Sequence, residues 1–197
     1  PFGDGAAYWD ARYEGDPAPL DWLEDYVNVR GLVEEATGGD FTASVLHAGC
    51  GSSLLPEEMY DEGYRDITNI DSSAVVISHM KARNLQRPVM SWLVMDATHM
   101  DFPNSTFDLV LDKSLLDTIA CMEGSVAVAR AYLRQVARVL KPGGTFLCIS
   151  FGDPPTRLHF FNGTGLEASL RAVELEKWYA VGANMAYIAR LPAASGA

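Results

Sequence analysis

A chain of 197 residues, 48% of them apolar and 10% aromatic, has the length of one domain and ample material for a core, which excludes a disordered chain. Twenty-six Asp and Glu against fifteen Lys and Arg give a net charge of −11, which argues against a nucleic-acid partner, since such binding leans on cationic contacts with phosphate. No apolar run is long enough to cross a bilayer, and the first residues do not form a signal peptide, so no membrane partner is expected.

In chain order, residues 1–20 are rich in Gly, Asp and Pro but carry Tyr8, Trp9 and Tyr13. The run DWLEDYVNVRGLVEEAT, residues 21–37, places Trp22, Leu23, Tyr26, Val29, Leu32 and Val33 at helical spacing, and GGD stops that helix. SVLHAG is the first strand, LLPEEMYDEG a short helix ended by Gly63, and DITNID the second strand. SSAVVISHMKARN is a helix capped by Ser72 or Ser73. MSWLVMDA and FDLVLDKS are the third and fourth strands. SVAVARAYLRQVARVL is a long amphipathic helix that KPGG breaks, and TFLCISF is the fifth strand. RAVELEKWYA and NMAYIARL form a final pair joined by a turn at Gly182. Strands alternating with helices predict parallel pairing with right-handed crossovers. The expectation is therefore an α/β fold: a Rossmann-like, doubly wound seven-stranded sheet, mostly parallel, with five helix-linked strands and an antiparallel hairpin at the C-terminal edge. The whole of 1–197 is expected to be one domain, with 1–36 an N-terminal segment and helix and 37–197 the core.

In a doubly wound sheet, ligands bind beyond the carboxyl ends of the strands. The turn Gly49-Cys50-Gly51 stands at that end of the first strand. Asp71 ends the second strand twenty-two residues after Gly49, placed to accept from two ribose hydroxyls. Asp96 ends the third, where it can accept from an adenine amino group, and Asp112 ends the fourth, facing the middle of the cleft. A dinucleotide site wants a third glycine where Leu54 stands, and no P-loop lysine follows the turn. Acids without nearby Arg or Lys repel pyrophosphate and suit a neutral or cationic nucleoside; S-adenosylmethionine, an adenosine with a sulfonium and no phosphate, fits.

Together VLHAGCGSS, NIDSS, MDA, FDLVLDKSLLD and LKPGG resemble the class I, seven-strand S-adenosylmethionine-dependent methyltransferases over residues 40–190. YWDARY, DWL and DKSLLDTI further resemble the methyltransferase-like group that includes lysine methyltransferases of translation elongation factor 1 alpha. The resemblance implies methyl transfer to a lysine of a protein substrate, with a small-molecule N- or O-methyltransferase and a non-catalytic cofactor binder as the alternatives. It implies that Trp9, Tyr13 and Trp22 lie over the cofactor, and that Gly49, Gly51, Asp71, Ser72, Asp96, Ala97 and Asp112 help hold it. Asp112 is also a candidate for positioning the substrate amine; no catalytic residue is assigned.

Other residues carry plainer expectations. His47 stands where many methyltransferases have an acid, and as a lone His on an apolar strand it reads as packed and satisfied. Lys113 reads as solvated or salt-bridged. Arg130, Arg134 and Arg138, at i, i+4 spacing, read as a solvated helix face. Cys50, Cys121 and Cys148 are odd in number and lack CxxC spacing, so free thiols in a reducing, cytoplasmic compartment are expected. The four histidines have no metal-binding spacing, and no metal is expected.

Overall fold

The structure, a computed structural model, describes residues 5–16, 18–175 and 184–194. One sheet of seven strands runs in the order β3-β2-β1-β4-β5-β7-β6. The strands are β1 (Val45–Ala48), β2 (Ile67–Asp71), β3 (Ser91–Val94), β4 (Phe107–Lys113), β5 (Leu140–Ser150), β6 (Arg171–Leu175) and β7 (Asn184–Arg190). The first five pair in parallel, and β7 lies antiparallel to both β5 and β6. The expected Rossmann-like sheet with an antiparallel C-terminal edge is what forms. Residues 176–180 of the predicted sixth strand, and the turn at Gly182, lie outside the described residues.

Period-two alternation sends the strands' side chains to two cores. Val45, Ile67, Leu109 and Leu147 pack under α2 (Tyr26–Thr37), α3 (Leu55–Glu62) and α4 (Ala74–Arg83). Leu46, Ile70, Val110 and Phe146 pack on the other face. They meet α6 (Ser125–Val139), whose stripe Ala129, Tyr132, Leu133, Val136 and Val139 is buried at 3–4-residue spacing. Ser73, not Ser72, caps α4 by accepting from the Val76 N–H at 3.2 Å.

Four elements depart from expectation. A helix, α1 (Gly5–Gly15), occupies a stretch with no helical apolar stripe: only Tyr13 is buried. It is held instead by Asp10, whose Oδ1 accepts from Ser73 Oγ at 2.6 Å and from the Val75 N–H at 3.2 Å, at the N-terminus of α4. The helix predicted from Asp21 starts at Tyr26, because Leu23 takes a left-handed φ of 70° and Asp21 and Glu24 are used elsewhere. Trp22 is therefore on an irregular strap, not on a helix face. The β3–β4 connection contains no helix, so the first five strands are not all helix-linked, whereas α5 (Leu115–Ala120) follows β4 directly. KPGG is not a loop before strand five; β5 already begins at Leu140 and the motif is a bulge within it. Leu140 pairs with Phe107 and Thr145 with Leu109, so the extra residues stand out of register. Gly144 is needed there, since a Cβ would lie 2.9 Å from the Lys141 carbonyl oxygen.

The arginines of α6 make ties as well as facing solvent: Arg134 is exposed as expected, whereas Arg130 and Arg138 are half-buried. Arg138 donates to the carbonyls of Met100 and Phe102 at 2.7 and 2.6 Å and holds the β3–β4 connection. Arg130 and Arg134 donate to the His159 and Gly163 carbonyls. No helix among the described residues is long and apolar enough to cross a membrane.

Candidate functional site

The strand order reverses between β1 and β4, and at such a switch point the connections diverge and leave a crevice at the strands' carboxyl ends. A cavity of about 510 Å³ opens there, within the range that takes a small organic ligand. Gly49 and Gly51, at φ 64° and 51°, turn the chain out of β1. A Cβ on Gly49 would meet Leu115 Cβ at 2.9 Å, and one on Gly51 the Tyr13 hydroxyl at 2.8 Å. The bare backbone thus forms one wall of the cavity.

Asp71 anchors that wall. Its Oδ2 accepts from the Gly51 N–H at 2.9 Å and its Oδ1 from the Ser73 N–H at 2.9 Å. A carboxylate can accept about four hydrogen bonds, so Asp71 retains capacity toward the cavity it borders. Burial raises its pKa above the ordinary 3.8 and the Asp10 charge adds to this, while the N–H donors oppose it. Asp96 lies two residues beyond β3 and is exposed. Its Oδ1 accepts from both the N–H and the hydroxyl of Thr98 at 2.8 Å. Ser72 and Ala97 also border the cavity.

Three aromatics also line the cavity, with Tyr13 set against the glycine turn. Trp9 stacks on Tyr13, ring centroids 6.0 Å apart, and Arg12 lies over the Trp22 ring at 5.5 Å. Trp9, Tyr13 and Trp22 all border the cavity. The strap that carries Trp22 is laced to the glycine turn. Leu20 N–H donates to Ser52 Oγ at 3.2 Å, and Ser52 Oγ donates to the Ala18 carbonyl at 3.1 Å. Asp21 accepts from the Ser53 hydroxyl, from the Leu54 N–H at 3.0 Å and from Lys113 Nζ.

Lys113 is salt-bridged, but it is not solvated. Its side chain is 2% exposed, and besides Asp21 it donates to the Glu24 carbonyl at 2.9 Å. Burial lowers the Lys113 pKa, and the Asp21 bond and charge oppose that. Burial raises the Asp21 pKa, but the bonds from Lys113 and Ser53 outweigh it and leave the carboxyl below its ordinary range. Glu24 in turn accepts from Asn184 Nδ2 at 2.7 Å, which joins the strap to β7. That Lys113 needs a buried acid was legible, since it stands inside an apolar strand; that the acid is Asp21, ninety-two residues away, was not.

Asp112 does not face the cleft as its place at the strand end predicts: it is fully buried and its carboxyl is bonded to α5 and α6. Its carboxyl accepts from the Leu115 N–H at 2.9 Å, the Leu116 N–H at 3.2 Å and the Tyr132 hydroxyl at 3.0 Å. It therefore caps α5. Burial pushes its pKa up to about 7, against the Tyr132 bond. A folded-state pKa above the ordinary 3.8 gives stability that is full below about pH 4 and is lost as pH rises through about 7. Urea denaturation of wild type and Asp112→Asn from pH 4 to 8 should show the wild-type advantage shrinking with pH. A constant difference would sink this assignment.

Ser114 borders the cavity with a left-handed φ of 75°. That backbone conformation costs a non-glycine residue about 1 kcal/mol. Ser114→Gly should raise stability by about that amount in denaturant titrations.

His47, expected to be packed and satisfied, is packed at 1% exposure beside Asn69 of β2 and borders the cavity, and burial, with the Lys113 charge, lowers its pKa to about 3. Cys50 and Cys148 are buried and Cys121 is exposed, and all three are free thiols. Among the described residues no group of three or more His, Cys, Asp or Glu gathers as a metal site.

The sequence and the fold have known counterparts. Residues 46–148 match the methyltransferase domain family. The eEF1A lysine and N-terminal methyltransferase of Mus musculus is 51% identical over 153 residues, 75% of this chain and 22% of that protein. The EEF1A lysine methyltransferase 4 of Mus musculus is 33% identical over 174 residues, 83% of this chain and 68% of that protein. The N-methyltransferase NodS from Bradyrhizobium japonicum WM9, solved with S-adenosyl-L-homocysteine, superposes with a TM-score of 0.69 at 20% identity, over 93% of this chain and 98% of that one. This chain spans about a fifth of the length of the eEF1A lysine and N-terminal methyltransferases it matches.

Proposed function

The chain belongs to the methyltransferase domain family, and from that premise we propose that it transfers a methyl group from S-adenosylmethionine to a lysine side chain of a protein substrate of the elongation factor 1 alpha type. One observation carries the cofactor reading. A bare glycine turn, a carboxylate with spare acceptor capacity and stacked aromatics converge on one cavity at the sheet's switch point. The residues fit the group. Asp71 takes the ribose hydroxyls, Asp96 the adenine amino group, Gly49 and Gly51 admit the ligand to the backbone, and Trp9, Tyr13 and Trp22 cover it, with Ser72 and Ala97 completing the wall.

The bound cofactor supplies a methyl group already activated on a sulfonium. The protein's part is to align donor and acceptor and to exclude water. The aromatic wall desolvates the approach, and desolvation disfavours an ammonium, so the incoming lysine is presented as the neutral amine that holds a lone pair. The buried Lys113–Asp21 pair keeps the strap, and with it Trp22, against the glycine turn. Asp112 acts through α5, whose first turn carries Leu115 into the cavity wall.

The lysine substrate rests on the names of the two relatives. The names say that those proteins act on eEF1A lysines, and they support the same substrate class here. In the same reading, residues 1–36 form the capping segment of a single domain over residues 1–197, the charge of −11 disfavours nucleic acid, and the three free thiols suit a reducing, cytoplasmic compartment. The test joins calorimetric titration with S-adenosylhomocysteine to transfer of tritiated methyl from S-adenosylmethionine onto purified elongation factor 1 alpha. Label recovered as methyl-lysine is the expected result. No label on the elongation factor from a protein that binds S-adenosylhomocysteine would overturn the protein substrate, and absence of ligand binding would overturn the cofactor.

A further inference from the structure

The chain leaves the glycine turn through Ser52 and Ser53 before entering α3, and a cation stands behind that passage. Arg83, the last residue of α4, donates from Nη2 to the Ser52 carbonyl at 3.0 Å and to the Ser53 carbonyl at 3.1 Å. Its Nε donates to Glu57 Oε1, which also accepts from Asn84 Nδ2 at 3.0 Å. Arg87 carries the line outward: its Nη1 lies 3.6 Å from Glu57 Oε2, and its Nε donates to Asp61 Oδ1 at 3.0 Å. Arg83 does not border the cavity, whereas Gly51 and Ser53 do.

A trans peptide group points its carbonyl and its N–H in opposite directions. The Ser53–Leu54 peptide is held at both ends: Arg83 donates to the Ser53 carbonyl, and the Leu54 N–H donates to Asp21 Oδ2 at 3.0 Å. Charges therefore alternate in sign from the exposed Asp61 through Arg87, Glu57 and Arg83, across this one peptide group, to Asp21 and Lys113 at the cavity. Hydrogen bonds with an ionised partner are roughly twice as strong as neutral ones, so this peptide plane is fixed more firmly than loop backbone bonds alone would fix it. Ser52 is held as well, by Arg83 on its carbonyl and by the strap on its hydroxyl. The planar fork of one guanidinium spans three acceptors here, two on the turn and one on α3; a lysine ammonium is a compact point charge.

We infer that Arg83 is a positioning residue for cofactor binding: it touches no reacting atom, and through the Ser52 and Ser53 carbonyls it holds the peptide planes of the turn in their binding orientation. This rests on the cofactor reading above and deepens it. Without the guanidinium both carbonyls lose their donor, and the turn must be ordered at the moment the ligand binds, which costs affinity.

The test compares Arg83→Met with Arg87→Met. Both remove a cation from Glu57 and both should lower the Tm, but only Arg83 reaches the turn. The calorimetric Kd for S-adenosylhomocysteine should rise by about tenfold in Arg83→Met, the factor made by one lost hydrogen bond to a charged group. In Arg87→Met it should stay at the wild-type value. With elongation factor 1 alpha as acceptor, the KM for S-adenosylmethionine should rise with the Kd in Arg83→Met while kcat at saturating cofactor holds, because a merely destabilised enzyme loses active fraction and not cofactor affinity. Arg83→Lys, which keeps the charge without the fork, should bind more weakly than wild type, and it carries the comparison where the methionine variant does not fold. Equal losses of affinity in Arg83→Met and Arg87→Met would make the network a matter of stability alone and overturn the proposal. Wild-type affinity in a folded Arg83→Met would overturn it too, as would wild-type affinity in Arg83→Lys where that variant stands in. A wild-type protein that does not bind S-adenosylhomocysteine is a separate result, and it sinks the cofactor reading together with this one.

Discussion

Asp71→Ala should reduce affinity for S-adenosylhomocysteine by more than about a hundredfold, beyond calorimetric detection in practice. The carboxylate has two tasks. It accepts from the Gly51 and Ser73 N–H groups and so holds the glycine turn in shape. In the proposed complex its remaining lone pairs take the ribose hydroxyls. Hydrogen bonds to a charged group contribute about 1.5–3 kcal/mol each, and two lost bonds account for the loss. Alanine also leaves the two N–H donors beside the cavity without an acceptor. Asp71→Asn is no remedy, since an amide would point N–H groups at one of two N–H donors. Circular dichroism at the same temperature separates unfolding from lost binding. Wild-type affinity in a folded Asp71→Ala variant would mean that the ligand sits elsewhere.

Lys113→Met should cost about 3–5 kcal/mol of folding stability, because it leaves the Asp21 carboxylate buried without its counter-charge. The pair is almost wholly removed from water, with side chains 2% and 11% exposed, so screening by solvent does little to soften the loss. The Glu24 carbonyl loses its donor as well. Asp21→Leu combined with Lys113→Met removes both charges, and much of the stability should return, measured by urea denaturation of the three variants. Affinity should not return with it. The strap would have lost its tie to Ser53 and Leu54, and Trp22 would no longer be held over the cavity. Recovery of both stability and affinity in the double variant would show that the strap is indifferent to this link.

Parallel strands with their alternating helices were legible because burial on both faces forces continuous apolar runs, and because glycines and acids punctuate them. Gly49, Gly51 and Asp71 were legible for a related reason. A chain that must turn with positive φ and present backbone to a ligand leaves few residue choices, and a carboxylate at the neighbouring strand end has one natural use. Asp112 misled because period and position place a residue at a strand end but do not say which face it serves. One step of β alternation sends it to the α5 side and sends Lys113 to the cavity side. Helix α1 was invisible because its stability comes from the bond of its Asp10 to Ser73 at the N-terminus of α4, sixty-three residues away, and not from a stripe of its own.

By itself, then, the sequence determined the sheet, the turn and the chemical character of the rim, since each is set by local steric and hydrophobic rules that act within a few residues. The tertiary structure alone decided which polar side chains meet. Asp21 finds Lys113 ninety-two residues away, and Glu24 finds Asn184 at a separation of 160. Such pairings depend on the distances and facing directions that packing imposes, and no local rule carries that information.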